Sequence, residues 1–530
     1  MKRGTDPHDT SSSEPPALHR RDFLRLLALS SLGLALPRES VAALHQAGGR
    51  GPGRGPAAIE VNAGHWQTWL VAAPRDLLPP PPPPGDSPGT RAEIQELLQL
   101  QSQRSDAVRA LVQFWDAQGG LPVWTQLLLN KIQQTNTNPV LASRALALFY
   151  AAIADAVICT WHAKFAYHRR QPTTFERRLT ALVEVDQRLP AYPSEHAAVA
   201  AAAATVLGYL YPEGTVQIHG QTMTYANAAD EAARSRLWAG ANYRSDMVAG
   251  LQIGSAVGQL AVLRGQTDGS NAAWDPIQQP GRPFGPQYWV PTPPAFAFPP
   301  LLPMAGTWRP WLLTVGSQFR GPMPPALQGP FPSTRFLQEA TEVKQTVDNL
   351  TLEQLAITQF WADGAGTVTP PGHWAQIAAQ HVAEANLSTP RAARAMAMVG
   401  VGVADSAIAC WDTKYTYWIV RPVTAIRTLV GQPFHNPNFS TPIPTPPFPA
   451  YASGHSTFSG CSADVLEFLF PGGMVEDAFG HRISFHDAAD QAAVSRLYGG
   501  IHYRSDNEAG LNCGRTIARL VILRAQSDGA

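Results

Sequence analysis

The sequence predicts an all-α fold built from two tandem helical bundles that arose by internal duplication. Segments rich in Ala, Leu and Val recur along the 530 residues, whereas runs of Val, Ile and Thr at strand period are nearly absent. In addition, residues 59–270 and 300–530 repeat one order of short motifs. Two bundles packed against each other follow from these observations.

The repeated motifs occur in the same order in both copies. They are W-x-x-W-L at 66 and 308, F-W at 114 and 360, W-x-x-K at 161 and 411, P-A-Y-x-S-x-H at 190 and 449, and Y-R-S-D at 243 and 503. The offset between copies grows from 242 residues at the first motif to 260 at the last. The second copy has therefore taken small insertions.

The N-terminal residues are predicted to be a transport signal rather than part of the fold. Arg20 and Arg21 are followed by Phe23, Leu24 and a modest apolar run at 26–36, which is typical of a twin-arginine export signal. The run is shorter than the roughly 20 residues that cross a bilayer. We expect the signal to occupy residues 1–43 and the protein to be periplasmic or extracellular. The alternative is an ordinary amphipathic start.

The rest of the chain divides into four parts. Residues 44–58 are Gly- and Arg-rich and should be flexible. A first repeat at 59–270 contains prolines at 79–84, expected to form a stiff polyproline strut. The Pro- and Gly-rich linker at 271–299 should form neither helix nor central strand, and the second repeat follows at 300–530. Helices of the first copy are expected at 104–117, 122–134, 140–166, 195–210, 226–240 and 245–265, with counterparts downstream.

Composition excludes some classes of function. The formal net charge is zero and only 15% of residues are charged, which argues against a nucleic-acid partner. The most apolar later stretches, 197–211 and 395–410, are short or interrupted by Asp405, so we expect no membrane insertion after signal removal. The four scattered cysteines are expected to be buried free thiols, although Cys461 and Cys513 could pair after export.

Three clusters in the second copy suit a buried tetrahedral oxyanion. They are K-x6-R-P at 414–422, S-G-H at 453–455 and S-R-x5-H-x3-D at 495–506. Together they supply three fixed cations, a hydroxyl beside a glycine amide, and two imidazoles. A buried anion requires such donors because its charge must be matched once water is removed.

The order and spacing of these clusters resemble the superfamily that joins vanadium-dependent haloperoxidases to type 2 phosphatidic acid phosphatases. Its pattern is K-x6-R-P, P-S-G-H and S-R-x5-H-x3-D, and every charged and imidazole position is present here. The one departure is Ala452 in place of Pro, which removes no donor. The resemblance implies a vanadium haloperoxidase-like fold and vanadate as cofactor.

Each residue of the pattern has an expected role. Asp506 lies four residues after His502, so that in a helix it can take the proton of one ring nitrogen and aim the other at the anion. His502 is then the axial ligand of the metal oxyanion, or the nucleophile toward phosphorus. His455 is the expected general acid/base. The oxyanion-binding residues are Lys414, Arg421, Ser453, Gly454 and Arg496.

The first copy is expected to be degenerate. It keeps five equivalent residues, which are Lys164, Ser194, His196, Arg236 and Asp246. However, Gln171, Glu195 and Asn242 stand where the second copy has Arg421, Gly454 and His502. A carboxylate about 4 Å from a bound oxyanion costs on the order of 4 kcal/mol at an effective dielectric of 20. We therefore expect Lys164 and Arg236 to neutralise Glu195 as a structural ion pair.

Two aromatic residues favour haloperoxidase over phosphatase. Trp411 and Phe448 match positions on the halide side of the pocket in the chloroperoxidase branch. Core packing would also explain both residues. This alternative is stronger for Trp411, because the first copy keeps the equivalent Trp161. The expected reaction uses hydrogen peroxide to oxidise halide to hypohalous acid, with an organic molecule as a further acceptor.

The alternative is a periplasmic acid phosphatase that forms a phosphohistidine at His502. A non-catalytic oxyanion-binding protein is disfavoured, because binding alone does not need paired histidines. The sequence leaves the oligomeric state open, a homodimer included. The remaining histidines of the second copy are expected to be caps or surface residues, namely His373, His381, His435, His481 and His486.

Overall fold

Helices make up nearly all the regular structure of the computed structural model, which describes residues 59–275 and 283–530. The predicted export signal, the predicted flexible segment at 44–58 and part of the predicted linker lie outside the described residues. The expected all-α class is confirmed. The described strands form only two antiparallel two-stranded hairpins, which the sequence analysis did not predict.

The elements of the first half are α1 (Pro88–Ser102), α2 (Asp106–Asp116), α3 (Leu121–Gln134), α4 (Pro139–Tyr167), α5 (Pro172–Phe175), α6 (Glu195–Leu210), β1 (Thr215–Ile218), β2 (Gln221–Thr224), α7 (Tyr225–Ala239) and α8 (Arg244–Gln266). All six helices predicted for this half are present, with ends that differ by one or two residues. Helix α1 was not predicted. It is capped by Ser87, whose side chain accepts a hydrogen bond from the backbone of Thr90.

The elements of the second half are α9 (Thr334–Asp348), α10 (Leu352–Phe360), α11 (Thr369–Glu384), α12 (Thr389–Tyr417), α13 (Pro422–Thr428), α14 (Gly454–Leu469), β3 (Met474–Glu476), β4 (Arg482–Ser484), α15 (Phe485–Tyr498) and α16 (Arg504–Ser527). The two halves repeat one order of long helices, and the hairpins β1–β2 and β3–β4 occupy equivalent places. Both hairpins lead directly into a helix, α7 or α15.

The two longest helices, α4 and α12, pack against each other at the centre and are almost wholly buried. Gly400 allows this approach, because a Cβ there would lie 2.9 Å from the carbonyl oxygen of Leu146. Both helices end in a left-handed residue, His168 or Trp418, one turn beyond a buried lysine. The core of the protein is therefore shared by both halves, and it delivers one lysine to each.

Within the described residues, three helical stretches are long and apolar enough to cross a membrane, judged by length and composition alone: Pro139–Phe175, Arg244–Gln266 and Thr389–Tyr417. The expectation was therefore wrong for 395–410, which lies in the third stretch, but 197–211 falls on a shorter apolar helix, as expected. In the first and third stretches, 89% and 94% of the apolar window is buried inside the protein, and in the second 50%. Burial in the core accounts for the composition of the first and third.

Close packing of α14 against α16 brings two parts of the site together. A Cβ at Gly510 would lie 2.6 Å from the carbonyl oxygen of Ser453, and one at Gly514 would lie 2.2 Å from that of Thr457. Only glycine tolerates such an approach. The backbone N–H of Ser453 consequently donates to the carbonyl of Asp506 at 2.9 Å.

The final helix of each half holds the first segment of the other half. Arg524 of α16 lies 3.5 Å from the ring centroid of Trp69 and donates to the carbonyl of Thr68 at 2.6 Å. Likewise, Arg264 of α8 lies 3.7 Å from Trp311 and donates to the carbonyl of Pro310 at 2.8 Å. We call these two sets of contacts the reciprocal clamps.

Buried carboxylates anchor the same two segments. Asp155 accepts hydrogen bonds from the backbone of Trp69, Leu70 and Val71 at 2.7–2.9 Å. Asp405 does the same for residues 311–313 at 2.7–3.0 Å. Asp405, which interrupts an apolar stretch in the sequence, thus caps the start of the second repeat.

The prolines at 79–84 behave as the expected strut. The hydroxyl of Tyr167 donates to the carbonyl of Pro79 at 2.6 Å, and that of Tyr192 donates to the carbonyl of Pro80 at 2.5 Å. The second half repeats this arrangement, since Tyr451 donates to the carbonyl of Pro322 at 2.8 Å. All four cysteines are buried free thiols in the described structure, as expected.

Candidate active site

Helix ends converge on one buried pocket in the second half. Lys414 lies in the last turn of α12, and Arg421 is the residue before α13. Ser453 caps α14, with Gly454 as its first residue. Arg496 lies in the last turn of α15. His502 directly precedes Tyr503, the N-cap residue of α16. Three helix starts and two helix ends therefore bring together residues that are far apart in the chain.

Two side chains fix the tautomer of His502. Its Nδ1 lies 2.9 Å from Oδ2 of Asp506, and its Nε2 lies 3.1 Å from Nη1 of Arg421. An arginine can only donate, so Nε2 must be the acceptor and Nδ1 must carry the proton that Asp506 accepts. Asp506 also accepts from the backbone of Tyr503 at 3.0 Å, which holds the carboxylate in place. The unprotonated Nε2 of His502 consequently accepts a hydrogen bond from Arg421 inside the pocket.

The three predicted cations are all inside the protein, with Lys414 and Arg421 fully buried and Arg496 1% exposed. Lys414 donates to the carbonyls of Pro449 and Ala450 at 2.9 and 3.0 Å. Arg421 donates to the carbonyl of Phe448 at 2.8 Å and to that of Ile501 at 2.7 Å. Arg496 donates to the hydroxyl of Ser495 at 2.9 Å and to the carbonyl of Thr358 at 3.1 Å.

Burial makes this cluster of charges costly. It lowers the pKa of Lys414 to about 7, with a further contribution from Arg421, and lowers the pKa of both arginines to about 10. Burial also raises the pKa of Asp506 above its ordinary value. A bound anion would raise the pKa values of the three cations and so oppose the effect of burial.

Both pocket histidines are neutral at neutral pH. Burial lowers the pKa of His502 well below 6.5, and the neighbouring Arg421 lowers it further. Burial likewise lowers the pKa of His455, with Arg496 as the next cause. A neutral His502 can use its Nε2 lone pair as a ligand or nucleophile, and a neutral His455 can accept a proton.

Two buried nitrogens bear on which ligand the pocket could hold. Among the described residues, neither Nη2 of Arg421 nor Nε2 of His455 has a hydrogen-bond partner. Nη2 can only donate, so its partner must be an oxygen or another acceptor. Buried polar atoms without partners are uncommon in native proteins. Vanadate or phosphate oxygens fit this donor set.

Gly454 leaves room for that ligand. A Cβ at this position would lie 3.6 Å from the Trp411 ring, which is an ordinary contact. The protein itself therefore does not require glycine here. In the first half the equivalent residue is Glu195, whose carboxylate lies 2.9 Å from Nζ of Lys164. A side chain at position 454 would thus point toward Lys414 and fill the pocket.

Ser453 keeps its place although Ala452 replaces the usual proline. The Tyr451–Ala452 peptide bond is cis, as is Tyr192–Pro193 in the first half. The hydroxyl of Ser453 accepts from the backbone N–H of Ser456 at 3.4 Å and caps α14. The substitution therefore removes neither the turn nor the hydroxyl.

Trp411 and Phe448 form one aromatic wall, with ring centroids 5.1 Å apart. Phe448 lies 4.8 Å from Nζ of Lys414 and 4.9 Å from the guanidinium carbon of Arg421, so it covers both cations. The indole N–H of Trp411 donates to the carbonyl of Leu301 at 3.0 Å. Trp161 makes the same type of bond to Ile59 at 2.9 Å, which supports a structural role for Trp411.

The first half contains a closed version of the pocket. The predicted ion pair between Lys164 and Glu195 is present at 2.9 Å. The prediction that Arg236 also pairs with Glu195 was wrong, because its Nη1 binds Oδ1 of Asp116 at 2.7 Å. The carboxylate of Glu195 already lies against Lys164, and Asp116 at the end of α2 is the nearer partner for the arginine.

The sequence analysis missed the partner of Asp246. Arg169 donates to this carboxylate at 2.6 Å and to Glu93 at 2.7 Å. Its counterpart in the second half is the apolar Ile419, since Arg169 and Ile419 both accept a backbone bond from the P-A-Y motif. Because Ile419 is apolar, it does not compete with His502 for the carboxylate of Asp506.

Two histidines expected at caps or on the surface are inside the protein. His381 is 6% exposed, and its Nδ1 lies 2.9 Å from the carbonyl of Ile377. His373 lies 3.1 Å from Asp363 and stacks on Trp361 with centroids 4.8 Å apart. In contrast, the side chains of His481 and His486 are 74% and 46% exposed, as expected. Among the described residues, no group of three or more His, Cys, Asp or Glu side chains could hold a metal ion.

Part of each half matches a known family model. Residues 394–528 match the family model of the VCPO second helical-bundle domain, and residues 144–269 match that of the PAP2 superfamily. These matches confirm the resemblance that the motifs indicated.

Individual relatives agree with this class. The vanadium chloroperoxidase of Curvularia inaequalis is 30% identical over 141 residues, which are 22% of this chain and 23% of that protein. The match thus spans about a quarter of the relative's length. The crystal structure of the first bacterial vanadium-dependent iodoperoxidase is 26% identical, with a TM-score of 0.56, and the match covers 76% of this chain and 95% of that one. A holo-type bacterial vanadium-dependent chloroperoxidase, 16% identical with a TM-score of 0.51, covers 74% and 92% and shares the fold.

Proposed function

We propose that this protein is a vanadium-dependent haloperoxidase that uses hydrogen peroxide to oxidise halide to hypohalous acid. The observation that carries the proposal is His502. Asp506 accepts its Nδ1 proton, and its unprotonated Nε2 accepts from Nη1 of Arg421, whose Nη2 has no partner among the described residues. The names of the relatives, a chloroperoxidase and an iodoperoxidase, support vanadate as the oxyanion.

Each side chain has a definite task in this proposal. Bound vanadate would supply a Lewis acid that activates hydrogen peroxide without changing its own oxidation state. His502 would hold it through Nε2, while Lys414, Arg421 and Arg496 match the charge of its oxygens. The Gly454 backbone leaves the space for those oxygens. Neutral His455 would accept a proton from hydrogen peroxide at Nε2 and return it to the leaving oxygen.

Acid phosphatase activity is the second candidate, and it uses the same geometry. A neutral histidine backed by a carboxylate is also a nucleophile toward phosphorus. The match of residues 144–269 to the PAP2 superfamily favours keeping this candidate. That match falls on the half in which Asn242 replaces the catalytic histidine, so it supports the fold more than the reaction.

One experiment separates the two reactions. Apoprotein is supplied with orthovanadate, and two activities are followed: halogenation of a dye by peroxide plus bromide, and hydrolysis of an aryl phosphate. The haloperoxidase proposal requires halogenation that depends on vanadate, with at most slow hydrolysis. Rapid hydrolysis that vanadate only inhibits would make the protein a phosphatase instead.

His502→Ala is the control for the site itself. Removing the imidazole should abolish vanadate retention after dialysis, and with it halogenation. Asp506→Asn keeps the imidazole but loses the carboxylate that fixes its tautomer, so affinity or activity should fall about 10- to 100-fold. Full activity of the His502→Ala protein would contradict the assignment of this residue as the ligand.

We also propose that the twin-arginine signal at 1–43 exports the protein. The support is the paired Arg20 and Arg21 before a short apolar run. Replacing both arginines by lysine should leave the protein in the cytoplasm of a bacterial host, as judged by fractionation. Unchanged export of that variant would contradict the proposal.

A further inference from the structure

Helix α8 is apolar to an extent that burial in the core does not explain. Only 50% of its apolar window is buried, against 89% and 94% in the stretches that contain α4 and α12. Residues 247–263 contain no charged side chain, whereas the equivalent residues 507–523 of α16 include Glu508, Arg515 and Arg519, all of which reach solvent. The outer side of α8 is therefore uncharged where that of α16 is charged.

The same contrast marks the groove where α6, α7 and α8 meet. In the second half, two pairs of acidic and basic side chains lie at the equivalent place. Nε2 of His486 is 3.0 Å from Oδ1 of Asp464, and Nη2 of Arg515 is 2.9 Å from Oδ1 of Asp490. Three of these four positions hold small uncharged residues in the first half, and these line the groove: Ala226, Thr205 and Ser255. The groove is open because the side chains around it are short.

A second groove runs between α8 and the proline strut at 80–83. It is lined by Val248, which is 42% exposed. The equivalent of Val248 in the second half is Glu508, whose carboxylate lies 3.6 Å from Nη2 of Arg335. Gly89 stands where that arginine would be, so both members of the charged pair are missing. We call the two grooves and the exposed residues between them the α8 face, where those residues are Val248, Gln252, Ser255 and Gln259.

The opposite side of α8 is locked into the bundle. A Cβ at Gly250 would lie 2.3 Å from the carbonyl oxygen of Ser194, and one at Gly254 would lie 2.1 Å from that of Ala198. Such close packing on α6 keeps the helix in place. A partner can therefore meet α8 only through the α8 face.

The rim of the α8 face carries no surplus of positive charge among the described residues. Arg234 is paired with Asp230 at 2.7 Å, and Arg244 is paired with Glu96. A helix that lies on an anionic lipid surface needs free cations along its polar side, and a nucleic acid needs them too. The charges thus favour a partner that is itself uncharged at the contact.

A second copy of the chain presents such a surface. The amides of Gln252 and Gln259 and the hydroxyl of Ser255 both donate and accept hydrogen bonds, so the α8 face can pair with itself. The 23 residues of α8 make a helix about 34 Å long, and with its grooves the face is about 20 Å wide, two helix diameters. The resulting area of about 700 Å² is close to the roughly 800 Å² that each partner buries in a stable interface.

We propose that the α8 face binds the α8 face of a second copy around a two-fold axis. The first half, in which Asn242 replaces His502, then serves to join two chains. In such an antiparallel pair the residue at the centre of one helix meets its own counterpart. Ser255 lies midway between the exposed Val248 and Leu263, and its small side chain lets the helices approach there. The proposal does not depend on the reaction of the pocket.

Sedimentation velocity of the full chain over a concentration series measures the association, and the wild type should be a dimer at micromolar concentration. Ser255→Arg, which copies the second half, should raise the dimer dissociation constant at least about 100-fold, because two like charges would meet at the axis. Ser255→Ala should dimerise like wild type. Asn512→Arg, which adds a charge to the equivalent side of α16, should leave the dimer intact. Circular dichroism spectra like that of the wild type show that the variants are folded.

Oxidative cross-linking locates the interface. The four native cysteines are buried, and Ser255→Cys should form a disulfide between chains because Cα atoms at the axis lie within about 7 Å of each other. Asn512→Cys should not. A wild type that stays monomeric would overturn the proposal, as would a Ser255→Arg protein that dimerises like wild type or a dimer that cross-links at 512 instead of 255. Binding of monomers to phosphatidylcholine vesicles would assign the α8 face to lipid instead.

Discussion

The charge of Lys414 depends on the occupancy of the pocket. Burial lowers its pKa to about 7, and a bound anion favours the charged ammonium. Binding must therefore take up a proton above pH 7.

Oxyanion affinity should accordingly fall as pH rises through about 7. Sulfate is the suitable probe, since its own charge is constant from about pH 6 to about pH 9. Its affinity should decrease by up to about tenfold per pH unit, the limit for uptake of one proton. Calorimetry in two buffers of different ionisation enthalpy measures that uptake directly. Lys414→Met should flatten the profile, and a wild-type affinity independent of pH would show that Lys414 is charged in the empty pocket.

At the residue scale, the sequence could predict which side chains converge on the pocket but not how buried charges pair. Motif spacing indicated His502, Asp506 and the three cations, which the structure brings together. The partner Arg169 carries no such signal. Its role depends on which buried carboxylate lies nearest, which tertiary packing decides.

At the scale of elements, helix positions followed from composition, and their termini from tertiary contacts. The six first-half helices were predicted because their small and aliphatic residues form continuous apolar segments. Helix α1 was missed because it is largely polar, with only Thr90, Ile94 and Leu97 buried. The hairpins were missed because strands of three or four residues are too short to show a period.

Substitutions at different glycines test helix packing and anion binding independently. Gly514→Ala places a Cβ 2.2 Å from the carbonyl of Thr457, so the variant should lose about 1–3 kcal/mol of unfolding free energy. Gly254→Ala is the matched change in the first half, with 2.1 Å to the carbonyl of Ala198. It should lower stability similarly and leave oxyanion affinity intact.

Gly454→Ala should leave the unfolding free energy nearly unchanged and weaken oxyanion binding. Its Cβ would lie no closer than 3.6 Å to the protein but would enter the space for the ligand. Thermal unfolding and calorimetric titration of the three variants check these expectations. A Gly454→Ala protein that binds sulfate like wild type would show that the ligand lies elsewhere.

The ion pair of the closed pocket should stabilise the fold without affecting turnover. The pKa of Glu195 is raised by burial, but Lys164 and His196 outweigh that effect and lower it below its ordinary value. Lys164→Ala leaves this largely buried carboxylate without its lysine partner, which should cost up to about 3–5 kcal/mol of unfolding free energy. Adding Glu195→Gln should recover part of the loss. Turnover per folded molecule should stay unchanged, and two bound oxyanions per wild-type chain would contradict a closed first pocket.

At the scale of the whole molecule, the halves form one cooperative structure. Their longest helices share a core, and the reciprocal clamps tie each half to the start of the other. The sequence predicted two packed bundles because the repeat is plain, but it contained no sign of the clamps. Arg524 and Trp69 are 455 residues apart in the chain, so their contact is visible only in the folded structure.

Calorimetry should therefore show one unfolding transition rather than two. Arg524→Ala removes a cation–π contact and a hydrogen bond to the carbonyl of Thr68, so it should lower unfolding free energy by about 1–3 kcal/mol. Arg264→Ala, the matched change in the other clamp, should have a similar effect. Both variants should still unfold in a single step. Separate transitions for the halves would mean that the clamps do not couple them.

The clamps also set the order in which the chain can be completed during synthesis. Domains generally fold as they emerge, the N-terminal one first. Here the backbone N–H of Gln67 donates to the carbonyl of Asp528, and Trp69 packs under Arg524. The segment that contains Gln67 and Trp69 therefore lacks these contacts until α16 has been synthesised. Duplication has produced a protein in which the start of the first repeat is held by the end of the second.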